Sequence, residues 1–343
     1  MTSIKRILAG ALAAAALLSF GPPAGAADPT LAVVKKRGQL QCGVNGNLAA
    51  FSYLNDKKER VGFDVDYCRA IAAAVLGDAT KVNFVALPIA RRFAALKAGD
   101  VDVLIRHSIV TLERTAGSGV RAAAVTYIDG QAFVVPKASG VNTLQALDKQ
   151  TVCTTKDTPH KGNVENWFML RGLSITATAY DDQDAMYKAF FAGRCASVTQ
   201  AATILASTII GSGKAGDYLM LPDIISSEPL GPYVRSGDEQ WLDVVHWTHD
   251  AMVEAEERGI FQANVDDQRN SKDPAVRQLL GSEPGNGKLL GLDEGWAYNV
   301  IKQVGNYSEV YDRNFGLGSP LKFGRGVNAL WRKGGVMYSL PMR

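Results

Sequence analysis

The stretch "VNFVALPIARRFAALKAGDVDVLI", residues 82–105, contains three short patterns in a row. "VNFVAL" is a strand-length run rich in β-branched and aromatic residues. "IARRFAALKAG" repeats apolar residues at helical spacing and stops at Gly99, and "VDVLI" is a second apolar run of strand length. Strand, helix and strand in that order form the repeating unit of a parallel α/β layer. Immediately upstream, "GQLQCGVN" begins as a strand over residues 40–44 and breaks into a Gly/Asn loop. "GFDVDYCRAIAAAVLG" then reads as a helix, with Ala70, Ala73, Ala74 and Val75 at helical spacing and Gly77 at its end.

The alternation restarts after "GQAFVVPK". "QTVCTT", "ITATAY" and "RCASVT" read as strands, and "NVENWFMLRG" and "DAMYKAFFAG" as the helices between them. The halves echo each other: Cys42 and Cys153 occupy corresponding first strands, and "ALKAGDVDV" has its counterpart in "AFFAGRCAS". Two similar α/β lobes in series make a cleft between their strand ends, where open α/β sheets bind ligands. From Glu228, "EPLGPYVRSGD" reads as an extended crossing and "EQWLDVVHWTHDAMVEAEERG" as a long amphipathic helix. The Gly- and aromatic-rich remainder to Arg343 is expected to pack back on the first lobe.

The first residues, "MTSIKRILAGALAAAALLSFGPPAGAADPT", combine basic Lys5 and Arg6, a short apolar run, Gly-Pro-Pro and the small residues Ala24-Gly25-Ala26. They read as a secretory signal cleaved after Ala26, the apolar core being shorter than the roughly 20 residues that span a bilayer. The mature chain is therefore expected to be soluble outside the cytoplasm. Its 35 basic and 34 acidic residues leave a net charge of +1, which provides no field for a nucleic acid or a membrane surface. Four cysteines remain. Their spacing suggests Cys42 with Cys68 and Cys153 with Cys195, although four cysteines allow three connectivities and buried free thiols are an alternative.

Several motifs carry little. "GSGKAG" at Gly211 to Gly216 follows a helix and precedes a strand, the reverse of dinucleotide-binding order. His246 and His249, with Asp243 and Asp250 nearby, read as a solvated helix face rather than a metal site, and nothing in the chain asks for a metal or cofactor. No hydrolase elbow or zinc-protease motif is present. "IRHSIVTLER", residues 105–114, is stronger. It follows a strand end, Thr111 to Arg114 form the first turn of a short helix that favours an anion, and Arg114 suits a bidentate grip on a carboxylate.

The segments "CGVN", "GFDVDYCRAIAAAVLGDATKV", "RFAALKAGDVDVL", "FFAGRC", "EPLGPYVRSGDEQW", "GLDEGWAYNVIKQVGNY" and "GSPLKFGRGVNALWRKGG" resemble the general L-amino-acid-binding proteins of bacterial ABC importers. These belong to the polar-amino-acid group of periplasmic solute-binding proteins, and the likeness runs from about residue 30 to the C-terminus. It implies a two-lobe type II periplasmic binding protein fold with hinge crossings near Ile128 to Phe133 and Glu228 to Tyr233. Lobe 1 would then comprise residues 27–130 and, with a C-terminal extension, 229–343; lobe 2 would comprise 131–228. It further implies a monomeric receptor that is not an enzyme, holds a small amino acid or carboxylate, and docks on an inner-membrane permease.

In relatives an arginine at the position of Arg114 grips the ligand α-carboxylate. Around it, His107, Ser108 and Thr111 are candidate contacts from lobe 1, Asn45 and Phe51 from the loop after the first strand, and Thr158, His160 and Gln200 from lobe 2. Other positions depart from the pattern. Ile109 replaces a threonine, Ala201 stands where relatives carry the aspartate that pairs with the ligand ammonium, and "DTPHK" replaces a "GTTTE"-like turn, with Pro159 removing a backbone donor. A buried ammonium without a counter-charge costs several kcal/mol. The expected ligand is therefore a carboxylate-bearing solute without a free α-ammonium, or a modified amino acid. The alternative is a cyclohexadienyl dehydratase-like enzyme on the same scaffold, with His107, Asp157 or His160 as general acid.

Overall fold

The computed structural model describes residues 29–342; the expected signal segment, residues 1–26, lies outside them. In chain order the sheet-building strands are β1 (Leu40–Val44), β2 (Val82–Ala86), β3 (Val103–Leu104), β4 (Val120–Ala122), β5 (Tyr127–Pro136) and β6 (Thr151–Thr155). They continue with β7 (Thr176–Tyr180), β8 (Ser197–Ala201), β9 (Tyr218–Met220), β10 (Ser227–Leu230) and β11 (Tyr233–Arg235). The first sheet has the order β2-β1-β3-β11-β4, and the second β9-β5-β8-β6-β7. β1 runs parallel to β2 and β3, and β6 parallel to β7 and β8, as the strand-helix alternation demands.

Two long crossings join the sheets. β5 pairs antiparallel with β10, setting Glu228 opposite Asp129 and Leu230 opposite Tyr127, and then continues into the second sheet. β11 returns the chain to the first sheet between β3 and β4. The short Leu230-Gly231-Pro232 link has little room: a Cβ on Gly231 would stand 1.9 Å from the Ala124 carbonyl oxygen.

The helix Phe63–Leu76 buries 12 of its 14 residues, so it is covered on nearly every side. The C-terminal region provides that cover, because helices Trp296–Gln303 and Tyr307–Asn314 pack with Glu239–Glu257 around the same core, where Trp241, Trp296 and Tyr307 are buried. One expectation is corrected here. His249 and Asp250 are buried rather than solvated, with His249 Nδ1 2.8 Å from the Tyr67 hydroxyl and Asp250 Oδ2 accepting the Leu340 N–H at 3.0 Å. The covering segment turns this face inward, and burial lowers the His249 pKa to about 3. Only Asp243 of that cluster is exposed.

Two disulfides are present, Cys42–Cys68 and Cys153–Cys195. Each ties a parallel strand to a later element, Cys42 of β1 to the helix Phe63–Leu76 and Cys153 of β6 to the approach to β8.

Candidate ligand-binding site

β3 ends at Leu104, and the chain turns over the cleft. His107 adopts φ 46°, a conformation unusual for a residue with a Cβ, while its N–H donates to Asp64 Oδ2 at 2.9 Å. Thr111 caps the helix Leu112–Gly117, its Oγ1 accepting the Arg114 N–H at 3.3 Å. The cap fixes Arg114, whose Nη1 donates to the Ile109 carbonyl (2.7 Å) and whose Nη2 reaches the Asp157 carbonyl (3.2 Å). Arg92, opening the helix Arg92–Ala98, donates to Ile89 (2.7 Å) and to the same Asp157 carbonyl (3.1 Å). Asp157 follows β6 of the second sheet with φ 56°, so these two bonds close the cleft from opposite sides.

An inner pocket lies in the closed cleft. Of the residues expected to meet a ligand, Asn45, His107, Arg114, Thr158, His160 and Gln200 line it. Arg92, Arg106 and Gln183 join them, with Leu48, Ile89 and Ile109 supplying the apolar wall. Ser108, Thr111 and Phe51 stand outside the lining. Ser108 Oγ faces the Arg106 carbonyl (3.4 Å), Thr111 caps its helix, and Phe51 packs edge-on against the His107 ring with centroids 4.3 Å apart. Ala201 is fully buried and brings no polar side chain.

The pocket is electrostatically one-sided. Arg92, Arg106 and Arg114 all enter it, and no Asp or Glu lines it among the described residues. Arg106 donates through Nε to the Leu87 carbonyl at 2.7 Å, so the side-chain acceptors identified for all three arginines are neutral carbonyls. Burial lowers the Arg92 pKa to about 9, helped by the like charges of Arg114 and Arg106; burial also lowers Arg106 to about 10 and displaces Arg114 downward. Guanidinium stays protonated at neutral pH, so these shifts register the cost of burying charge, offset in part by Asp157, Asp64, Glu113 and Glu228. Asp64, whose field reaches Arg106, is itself raised to about 7, burial outweighing His107 and Arg106. Among the lining side chains, Arg92 Nε, Gln200 Nε2, His107 Nε2 and both ring nitrogens of His160 are buried without a hydrogen-bond partner in the protein.

Behind the pocket lie two carboxylates that sequence reasoning missed. Asp129 and Glu228 face each other in the β5/β10 register. His107 Nε2 is 3.7 Å from Asp129 Oδ2, and His160 Nε2 is 2.8 Å from Glu228 Oε1, close enough for an ion pair but off the line of a hydrogen bond. His160 is placed by Gln131, whose Nε2 donates to the His160 carbonyl (3.1 Å) and to Thr199 Oγ1 (3.0 Å). Arg92 was missed because one arginine in an amphipathic helix looks like any solvated one. Asp129 and Glu228 lie 99 positions apart and meet only through strand register.

Residues 40–263 match the bacterial extracellular solute-binding proteins, family 3. The chain is 42% identical over 342 residues to the general L-amino acid-binding periplasmic protein AapJ of Rhizobium johnstonii, covering 99% of this chain and 100% of that one. It is also 42% identical over 341 residues to the glutamate/glutamine/aspartate/asparagine-binding protein BztA of Rhodobacter capsulatus, covering 99% of each. A periplasmic binding protein of an ABC transporter from Brucella ovis, solved with glutathione bound, superposes with TM-score 0.89 at 43% identity, over 92% of this chain and 99% of that one. With its two sheets, paired crossings and closed cleft, the chain belongs to the bacterial extracellular solute-binding proteins, family 3.

Proposed function

We propose that this chain is the periplasmic receptor of an ABC importer and captures a small amino-acid-derived carboxylate whose α-nitrogen is not a free ammonium. The observation that carries the reading is the cleft lining: three guanidiniums and no carboxylate. Arg114, fixed by the Thr111 cap, holds the α-carboxylate together with Arg92, while Gln200 offers an amide to the uncharged end. A free ammonium in this pocket would face like charges and lose its water, at a cost of several kcal/mol. The names of the AapJ and BztA relatives and the glutathione in the Brucella ovis structure support an amino-acid or short peptide-like ligand.

The remaining assignments belong to the same reading. The chain is exported by the segment 1–26, acts as a monomer without nucleic acid, delivers its ligand to an inner-membrane permease and does no chemistry. Its lobes divide at residues 130/131 and 228/229, within the paired β5 and β10. Against a dehydratase, His107 and His160 already face hinge carboxylates, and the relatives are named as binding proteins. Isothermal calorimetry with N-acetyl-L-glutamate, L-glutamate and common neutral L-amino acids tests the ligand class. Tighter binding of the N-acyl compound is expected; tight binding of unmodified neutral amino acids overturns it. Turnover of prephenate or arogenate would overturn the receptor assignment.

A further inference from the structure

The three guanidiniums are not equivalent. Arg92 and Arg114 share the Asp157 carbonyl, so their heads lie together at one end of the pocket. Arg106 is held separately, by its Nε to Leu87. It lines both the inner pocket and a second chamber that continues along the cleft past Asn45, Ile89 and Gln183. Arg106 is 9% exposed. A single ligand carboxylate between Arg92 and Arg114 would leave this third buried charge with only Asp64, itself raised to about 7 by burial, as an acidic neighbour.

Resting on the carboxylate-binding reading above, we infer that Arg106 is a second anion-binding point, and that the ligand is a dianion with its second carboxylate where the inner pocket opens into the outer chamber. The outer wall limits how far that group can lie. Asp181, paired with Lys156 at 2.6 Å, lines the chamber beyond Arg106 with Asp182 and Asp184, and these last two disfavour a carboxylate that extends past the arginine. Asp182 is fixed there as a helix cap, its Oδ1 accepting the Ala185 N–H at 2.8 Å. The two anionic groups are therefore joined by a short link, as in acidic amino acids and their N-acyl derivatives. Gln200 Nε2, buried and without a protein partner, lies in the same inner pocket to bond the uncharged part of such a link.

The test is calorimetry with two isosteric pairs, L-glutamate against L-glutamine and N-acetyl-L-glutamate against N-acetyl-L-glutamine. Within each pair only the second negative charge changes; between pairs the ammonium is replaced by a neutral, bulkier acetamido group. The acid is expected to bind about tenfold or more tighter than its amide, and Arg106→Gln to bring that ratio near one. Arg106→Lys, which keeps the charge and guards against a folding defect, retains part of the preference. Equal affinity of acid and amide in the natural protein overturns the inference. So does an Arg106→Gln variant that folds and keeps the ratio. An acid preference seen only in the unmodified pair supports the second anion point and overturns the clause on the α-nitrogen; no binding by any of the four overturns both.

Discussion

Replacing Asp64 by Asn tests the electrostatics beneath the cleft. Asp64 lies in the first turn of the helix Phe63–Leu76, 5% exposed, accepting the His107 N–H at 2.9 Å. Burial raises its pKa from 3.8 to about 7, while His107 and Arg106 pull the other way and lose. The folded protein therefore binds this proton more tightly than the unfolded chain does. Stability contributed by the protonated carboxyl is complete below the unfolded pKa and falls as pH rises toward 7, after which it levels. About three pKa units at 1.36 kcal/mol each give an upper figure of about 4 kcal/mol. Asparagine is nearly isosteric with the protonated acid and keeps an acceptor for His107. The variant should match the natural protein near pH 4 and exceed it by up to about 4 kcal/mol above pH 7. Urea denaturation followed by tryptophan fluorescence at intervals from pH 4 to 8, with disulfides intact, gives the difference curve, in which other titrations cancel. A difference independent of pH, or one favouring Asp64 at neutral pH, refutes the reasoning.

Arg114→Ala should weaken N-acetyl-L-glutamate binding by about a hundredfold or more, since a charge-assisted pair in a closed cleft is worth roughly 2 to 5 kcal/mol; calorimetry reads the loss. Gly231→Ala should destabilise by about 2 kcal/mol or more, because its Cβ would overlap the Ala124 carbonyl oxygen at 1.9 Å. Gly162→Ala, in the exposed helix His160–Met169 with nothing within 4 Å of the added carbon, should stabilise by roughly 0.5 to 1 kcal/mol. Melting temperatures separate those two signs. Replacing Cys42 and Cys68 by Ala removes a 26-residue closure worth at most about 3.5 kcal/mol, and the same change at Cys153 and Cys195 a 42-residue closure worth about 4, measured by denaturation.

Much of the frame is legible locally. The strand of residues 40–44, the helix ending at Gly77 and the helix ending at Gly99 appear where period and terminator place them, with both glycines in the left-handed conformation. The second lobe was equally periodic, though its helix opens at His160, just after Pro159, rather than at Asn163, and β8 begins at Ser197 rather than at the preceding arginine. Arg114 stands out because a strand end, the first turn of a short helix and an arginine lie within a few positions. The solvated reading of His249 failed because it weighed the helix alone, without the C-terminal segment that covers it.

What the sequence by itself determined was therefore the elements, their alternation and the family, and it singled out Arg114 as the arginine proposed to hold a carboxylate, since each rests on periodicity, turn chemistry or a contiguous motif. Tertiary structure alone decided that Arg92, Arg106 and Arg114 meet in one pocket without an acid, and that Asp129 and Glu228 sit side by side behind it. Arg106 and Arg114 share the stretch 105–114 but Arg92 comes from the preceding helix, and the two carboxylates are adjacent only through the β5/β10 register. Charge balance in a cleft is a sum over distant positions, and it exists only once the lobes have closed over it.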